Sequence, residues 1–216
     1  MPKNIAIDGT AGSGKGTISK LLAERLGYYH LDTGAIYRTI AYCAKANNVN
    51  INNEEEVEKM LETCDVYINL ENGKQINMLA GEDVKMNIRT PEIDVAASVV
   101  SVYDDVRKFA TRIQHALAKK HNLIIEGRDI GTVVLPNADY KFYVTAKPEV
   151  RARRRLLQHG LNESEYAKIL QDIIERDERD STRKISPLKR ADDAILIDNS
   201  NQTIEETVNE MFSYIK

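Results

Sequence analysis

Directly after the apolar run IAID, residues 9–17 read GTAGSGKGT. Gly9, Thr10, Ala11, Gly12, Ser13, Gly14, Lys15, Gly16 and Thr17 fit the pattern G-x-x-x-x-G-K, followed by Gly and Thr. The chemistry such a loop can do is to hold phosphate. Glycines let backbone N–H groups turn inward to form a nest for phosphate oxygens. Lys15 adds a mobile positive charge, and a helix starting there adds the positive end of its dipole. An ordinary glycine-rich turn is the bland alternative, but a strand before it and a helix after it favour the phosphate reading. One departure matters. Gly16 stands where the pattern normally has Ser or Thr, so the Thr17 hydroxyl is displaced by one position. Direct ligation of Mg²⁺ by Thr17 is therefore open, with phosphates and water as the ion's main ligands.

Phosphate needs a destination, and the other chemistry-bearing residues are chiefly arginines. LDTGAIYR (31–38) puts Thr33 in position to cap a helix, with Tyr37 and Arg38 one turn in. Ser98 and Arg107 fall in a mostly helical stretch, where a hydroxyl and a forked donor could read the edge of a base. Arg128 and Asp129 follow the apolar run LIIEG, and Gly131 lets the chain turn away. Arg151, Arg153, Arg154 and Arg155 stand within five residues, and ERDERDSTR adds Arg176, Arg179 and Arg183, with Asp180 one turn from Arg176. Helical spacing puts Arg151, Arg154 and Arg155 on one face, and Arg176, Arg179 and Arg183 on another. Such helices read either as a lid over phosphates or as solvated charged faces, the second being the reading for Arg153 and Arg179. The interleaved acidic residues and near absence of aromatics oppose a nucleic-acid patch.

The elements that must position these groups alternate. NIAID, YYHLD, NLIIEG, YKFYVTA and AILIDN read as strands, and helices are expected from about Lys15 to Leu26, over GAIYRTIAYCAKA and over TIEETVNEMFSYI. Continuously apolar strands separated by helices imply a parallel sheet covered on both faces, with ligands at the carboxyl ends of its strands. Asp65 to Val84 instead alternates polar and apolar around Asn72-Gly73, a hairpin signature, and predicts a small antiparallel insert.

Composition narrows the class. The chain has 216 residues, 42% hydrophobic and 29% charged, which suits a soluble globular protein of one domain. A net charge of -3 opposes a nucleic-acid-coating surface. Two cysteines, Cys43 and Cys64, are too few and too isolated for a disulfide framework or a zinc site. No signal-peptide core or membrane-length apolar run is legible, and the expectation is a cytoplasmic protein.

Together the segments resemble the bacterial-type cytidylate kinases, within the nucleoside-monophosphate kinases of the P-loop class. The resemblance runs essentially end to end. IAIDGTAGSGKGT, LDTGAIYR, GEDV, IRTPEI, AAS, EGRDIGTVV, RARRRLLQ and ERDERDSTR stand in that family's order and spacing. The stretch from about Asp65 to Ser98 is similar to the extra sheet that separates these enzymes from adenylate kinases. The resemblance implies an α/β, three-layer P-loop kinase fold with a central parallel five-stranded sheet, a helical lid and a small antiparallel β insert. It implies a single kinase domain over 1–216, with its core at 1–32, 105–147 and 184–216. The monophosphate-binding region would be about 33–104, and the lid with its adjoining helix about 148–183.

The implied activity is transfer of the γ-phosphoryl of ATP to CMP or dCMP, with Mg²⁺, by a monomer that binds neither nucleic acid nor membrane. Gly9 to Thr17 and Arg151 would bind ATP, and Lys15, Arg128, Arg154 and Arg155 would act in transfer. Thr33, Tyr37, Arg38, Ser98, Arg107, Arg128, Asp129, Arg176, Asp180 and Arg183 would bind CMP. Of these, Ser98, Arg107 and Asp129 match base-reading positions, Arg38, Arg128 and Arg183 the acceptor-phosphate clamp, and Arg176 and Asp180 the sugar pair. Thr33 stands where Ser is also found, and Glu126 where Asp is also found. Rival readings are a kinase for AMP, UMP or shikimate, and a non-catalytic nucleotide- or RNA-binding protein.

Overall fold

The structure, a computed structural model, describes residues 2–215. Strand β1 (Asn4–Gly9) is buried from Ile5 onward, as a strand covered on both faces must be. Helix α1 (Lys15–Leu26) stops at Gly27, whose φ of 68° is the left-handed conformation of a C-cap. β2 (Tyr29–Asp32) then leads into α2 (Thr33–Ala46). The cap of α2 is Asp32, not Thr33 as the sequence suggested: its carboxylate accepts the Ala35 N–H at 3.1 Å, and Thr33 is the first helical residue. A carboxylate at that position also complements the helix dipole. Helix α3 (Glu54–Leu61) has no counterpart among the sequence expectations; Asn53 caps it and three glutamates fill its first turn.

The insert has the expected hairpin. β3 (Val66–Glu71) pairs antiparallel with β4 (Lys74–Leu79), which pairs with the short β5 (Glu82–Asp83). At its tip Asn72 and Gly73 have φ of 51° and 72°, the two left-handed residues that a type I′ turn demands. α4 (Pro91–Val100), capped by Thr90 with Pro91 in its first turn, and α5 (Asp104–Ala118) divide the single helical stretch expected there, breaking at Ser101–Tyr103.

β6 (Leu123–Gly127) ends in a π-helical turn, Ile130–Val134. β7 (Tyr140–Thr145), α6 (Pro148–Gln158), a 3₁₀ turn at Glu163–Glu165, α7 (Tyr166–Thr182), β8 (Ile195–Asp198) and α8 (Ile204–Tyr214) complete the chain. The five sheet strands run in the order β2-β6-β1-β7-β8, and β3-β4-β5 form a separate sheet. The class is α/β with a parallel five-stranded sheet, as the alternation implied.

The chain divides into two compact units. In the unit of Lys3–Gly27 and Ile124–Lys216, β1 and β8 flank β7 in parallel, and Ile5, Ile7, Ile124, Ile125, Phe142, Val144 and Ile197 are buried. Each such side chain contributes about 1.5–3 kcal/mol by leaving water. Gly9 is required by the pairing itself. A Cβ there would stand 1.8 Å from the Val144 carbonyl oxygen, on the neighbouring strand. α6 and α7 share a small core of Ala152, Leu156, Ile169 and Ile173. Arg153 pairs with Glu163 at 2.6 Å and lies over the Tyr166 ring, so it braces this helix pair from its exposed side.

In the unit of Tyr28–Leu123, α2 packs on α4, α5 and the β3-β4 hairpin. Ile36, Ile40 and Ala44 of α2 are fully buried, together with Ile88, Ile93, Val100 and Val106. The two cysteines, far apart in sequence, meet here with Sγ atoms 2.6 Å apart as free thiols.

Candidate nucleotide-phosphate and acceptor residues

The loop from Gly9 to Lys15 is tied down by its carbonyls. Lys15 Nζ donates to the Thr10 carbonyl at 2.6 Å, and so does the Ser13 hydroxyl at 3.0 Å. The Ala11 carbonyl accepts from Arg151 at 2.8 Å, and the Ser13 carbonyl from the Asn199 amide at 2.9 Å. Across a trans peptide the C=O and the next N–H point opposite ways. Fixing these three carbonyls therefore also fixes the directions of the N–H groups of Ala11, Gly12 and Gly14, the kind of donors a phosphate nest uses. Asp177 Oδ1 accepts the Ala11 N–H at 3.3 Å.

Lys15 itself is buried. Burial holds its ammonium well below the usual lysine range, and the neighbouring Arg128 charge pushes the same way, with Arg176 adding to it; Glu126 and Asp8 oppose. A buried cation beside two guanidiniums is a site that gains from a polyanion. The Gly16 departure also has a local reason. A Cβ at that position would lie 3.1 Å from Glu126 Oε1, so any side chain there would push on a carboxylate at the end of β6.

Three arginines of α6 fall in three environments. Arg151 is buried, bonded through Nε to the Ala146 carbonyl at 2.8 Å, to Ala11, and to Asp177 at 2.6 Å. Arg154 donates to Asn199 Oδ1 at 2.9 Å and to its carbonyl at 2.7 Å. Arg155 is exposed. The common face expected from spacing is thus divided: Arg151 braces the loop from within, and Arg154 reaches it through Asn199.

After β6, Arg128 donates through Nε to Asp180 of α7 at 2.8 Å. Arg183 lies just past the end of α7 in extended conformation, and is not on a helix face with Arg176 and Arg179. Its Nε donates to the Ser186 carbonyl at 2.6 Å, and its guanidinium stands 3.6 Å from Asp129. Arg176, inside α7, contributes its charge beside Lys15.

In the other unit, Arg38 pairs with Asp32 at 2.7 Å, with Asp94 3.8 Å away. Arg107 is buried, donates to the Ser101 carbonyl at 3.1 Å and has its guanidinium 5.6 Å from the Tyr37 ring centre. Thr33 is buried at the start of α2, and Ser98 is partly buried on α4.

Sequence reasoning missed three residues that shape this region: Asp8, Asp177 and Asn199. Asp8 accepts the Ile130 and Gly131 N–H groups, Asp177 bridges the loop and Arg151, and Asn199 bridges the loop and Arg154. Asp8 and Asn199 do carry a signal, since each is a polar residue at the carboxyl end of an apolar strand. Asp177 lies in a run of alternating charges that gives none. Among the described residues no group of three or more His, Cys, Asp or Glu is arranged to hold a metal, and no helix is long and apolar enough to cross a membrane.

Comparison with known proteins bears on the family. The family model described as cytidylate kinase matches residues 5–216. A cytidylate kinase of Caldicellulosiruptor saccharolyticus is 46% identical over 210 residues, covering 96% of this chain and 93% of that one. One from Thermosipho melanesiensis is 44% identical over 219 residues, covering 100% and 98%. Among solved structures, an uncharacterized protein from Eubacterium ventriosum superposes with a TM-score of 0.53 at 12% identity, covering 99% of this chain and 98% of that one, a likeness of fold alone.

Proposed function

The chain belongs to the cytidylate kinase family, and from that premise we propose that it transfers the γ-phosphoryl of ATP to CMP or dCMP, giving ADP and CDP or dCDP. The observation that carries the reading is Lys15: a buried ammonium that feels the charges of Arg128 and Arg176, in a loop whose Thr10, Ala11 and Ser13 carbonyls are each held by a side chain. Such a cluster of cations favours a triphosphate, whose negative charge it can share.

Gly9 to Thr17 bind the donor phosphates, and Arg151 serves them by fixing the Ala11 carbonyl. The acceptor is CMP: Ser98, Arg107 and Asp129 read the cytosine edge, with Thr33 and Tyr37 beside it. Arg38, Arg128 and Arg183 clamp its phosphate, and Arg176 and Asp180 hold the sugar. At rest Arg38, Arg128 and Arg183 each stand beside a carboxylate, Asp32, Asp180 and Asp129 respectively, so oppositely charged partners hold them until the nucleotide arrives.

The acceptor oxygen needs no strong base, because a phosphate monoester's second pKa is about 6. Lys15, Arg128, Arg154 and Arg155 then lower the barrier by position and charge as the phosphoryl passes in line to the acceptor. The helices α6 and α7 close over the phosphates and exclude water, whose attack would waste ATP. A wrong base leaves Ser98, Arg107 or Asp129 unpaired, a penalty of about 1–3 kcal/mol for each group.

Mg²⁺ fits the donor set as an ion held chiefly by phosphates and water. Thr17 and the Glu126 carboxylate, close to Gly16, are the oxygen donors at that end of the loop. Bound there, the ion would neutralise charge on the donor phosphates. We read the protein as a cytoplasmic monomer with no nucleic-acid or membrane partner.

Initial rates of ADP release with CMP, dCMP, UMP and AMP at fixed ATP and Mg²⁺ test the assignment. The expected order places CMP and dCMP first in kcat/KM. A preference for AMP or UMP would overturn it.

A further inference from the structure

Asp8 ends in a position that no phosphate chemistry explains. It is buried at the carboxyl end of β1, 4% exposed, one residue before the glycine-rich loop. Its Oδ1 accepts the Ile130 N–H at 2.8 Å and its Oδ2 accepts the Gly131 N–H at 2.7 Å. Those are the first two amides of the π-helical turn that follows β6, and donors at the start of a helical turn have no partner within it. The two peptide groups so fixed come directly after Arg128 and Asp129. The first includes the Asp129 carbonyl, which in turn accepts from Val133 at 2.9 Å and Val134 at 3.1 Å.

Two features show that this contact is specific. An asparagine could not replace the carboxylate, because its single acceptor oxygen would satisfy one N–H and its NH₂ would confront the other. The contact is also costly: burial, with Asp129 adding to it, lifts the Asp8 carboxyl to about 6, against the two backbone bonds and Lys15, which lower it. A side chain whose only duty was to fill this space would be less costly without a charge.

We infer that Asp8 is a positioning residue for the acceptor, holding the Arg128–Asp129 segment in place through the two peptide groups that follow it. The inference rests on the proposed roles of Arg128 and Asp129 toward CMP. The hydrogen bonds of Asp8 run to the turn, while its charge also bears on Lys15. The effect of its hydrogen bonds therefore falls on the acceptor side, although the residue is adjacent in sequence to the donor loop.

The test is steady-state kinetics of Asp8→Asn in the full-length protein, with CMP and ATP varied separately, beside amide hydrogen exchange at Ile130 and Gly131. The expected result is a KM for CMP raised by about tenfold, the effect of roughly 1.4 kcal/mol, with the KM for ATP changed less than threefold and both amides exchanging faster. Equal changes in the two KM values, or an unchanged KM for CMP, would overturn it. Arg128→Ala and Asp129→Ala, measured in parallel, separate the two ideas. If they leave the KM for CMP untouched, the acceptor reading fails; if they raise it and Asp8→Asn does not, the inference fails. Should Asp8→Asn not fold, the wild-type protein carries the test. The amide signals of Ile130 and Gly131 and the Asp129 carboxyl signal must then shift together with Asp8 titration near pH 6, and an Asp129 signal indifferent to it overturns the positioning role.

Discussion

Arg128 Nε and Asp180 Oδ2 lie 2.8 Å apart, linking the end of β6 to the last turns of α7 with both side chains largely shielded from water. The pair joins a proposed phosphate ligand to a proposed sugar ligand, so neither acts alone. Asp180→Ala is expected to raise the KM for CMP by about tenfold or more, since a hydrogen bond to a charged partner is worth about 1.5–3 kcal/mol. Arg128→Ala should do the same and lower kcat as well. Combined, the two should cost clearly less than their sum, and a double-mutant cycle in kcat/KM checks this.

Lys15→Met separates activity from stability. Turnover should fall by about 10²–10³, the scale of one lost electrostatic contact in a transition state. The nucleotide-free protein should nevertheless melt higher at pH 7, because a buried ammonium is replaced by an apolar chain of similar length. The folded-state pKa of Lys15 lies well below its ordinary 10.5, so the unfolded chain holds more protons across that interval. Wild-type stability therefore climbs with pH in this window, and the variant's advantage should fade toward pH 10. Thermal melts at pH 7 and 10 read both effects.

Gly16→Ser would restore the hydroxyl that the usual loop pattern carries, yet it should not improve the enzyme. Its Cβ would meet the Glu126 carboxylate at 3.1 Å and force it to shift. A drop of about tenfold in kcat/KM for ATP is expected, the effect of roughly 1.4 kcal/mol. Shortening the neighbour with Glu126→Asp should recover part of it. Activity of the double variant relative to each single one decides the matter.

Asp8 has a pH signature in stability as well as in kinetics. Its folded pKa is about 6 against an ordinary 3.8, so the folded chain holds the extra proton. The stability it contributes is fully present below 3.8 and is lost as pH rises through about 6. That interval corresponds to about 3 kcal/mol. Urea denaturation at pH 4 and pH 7 should show wild-type losing ground to Asp8→Asn by a sizeable part of that amount. A constant difference between the two proteins would contradict it.

Much of this was legible in the chain. Continuous apolar runs marked the strands, Asn72-Gly73 marked the hairpin and the glycine spacing marked the loop, because each is a local preference written in adjacent residues. The helix boundary at Thr33 was misread by one position, since Asp32 and Thr33 both suit a cap and only the backbone decides between them. The π-helical turn left no periodic trace over five residues. Asp8, Asp177 and Asn199 act on partners 122, 166 and 186 residues away, and the meeting of Cys43 with Cys64 likewise depends on how α2 packs. Spacing along a chain carries no record of such encounters. The arginines of α6 show the same limit, for one helix face held one buried strut, one indirect brace and one exposed charge.

The tethered carbonyls of Thr10, Ala11 and Ser13 have a thermodynamic consequence. Ordering a free backbone costs about 1–2 kcal/mol per residue, and a flexible loop would meet that cost each time nucleotide bound. Here folding has already met it, through donors that lie 140 residues away at Arg151 and 186 at Asn199. Nucleotide affinity is therefore set partly by the entropy that these two distant side chains remove from the empty protein, and a change at either would be felt as a looser loop before any contact with phosphate was lost.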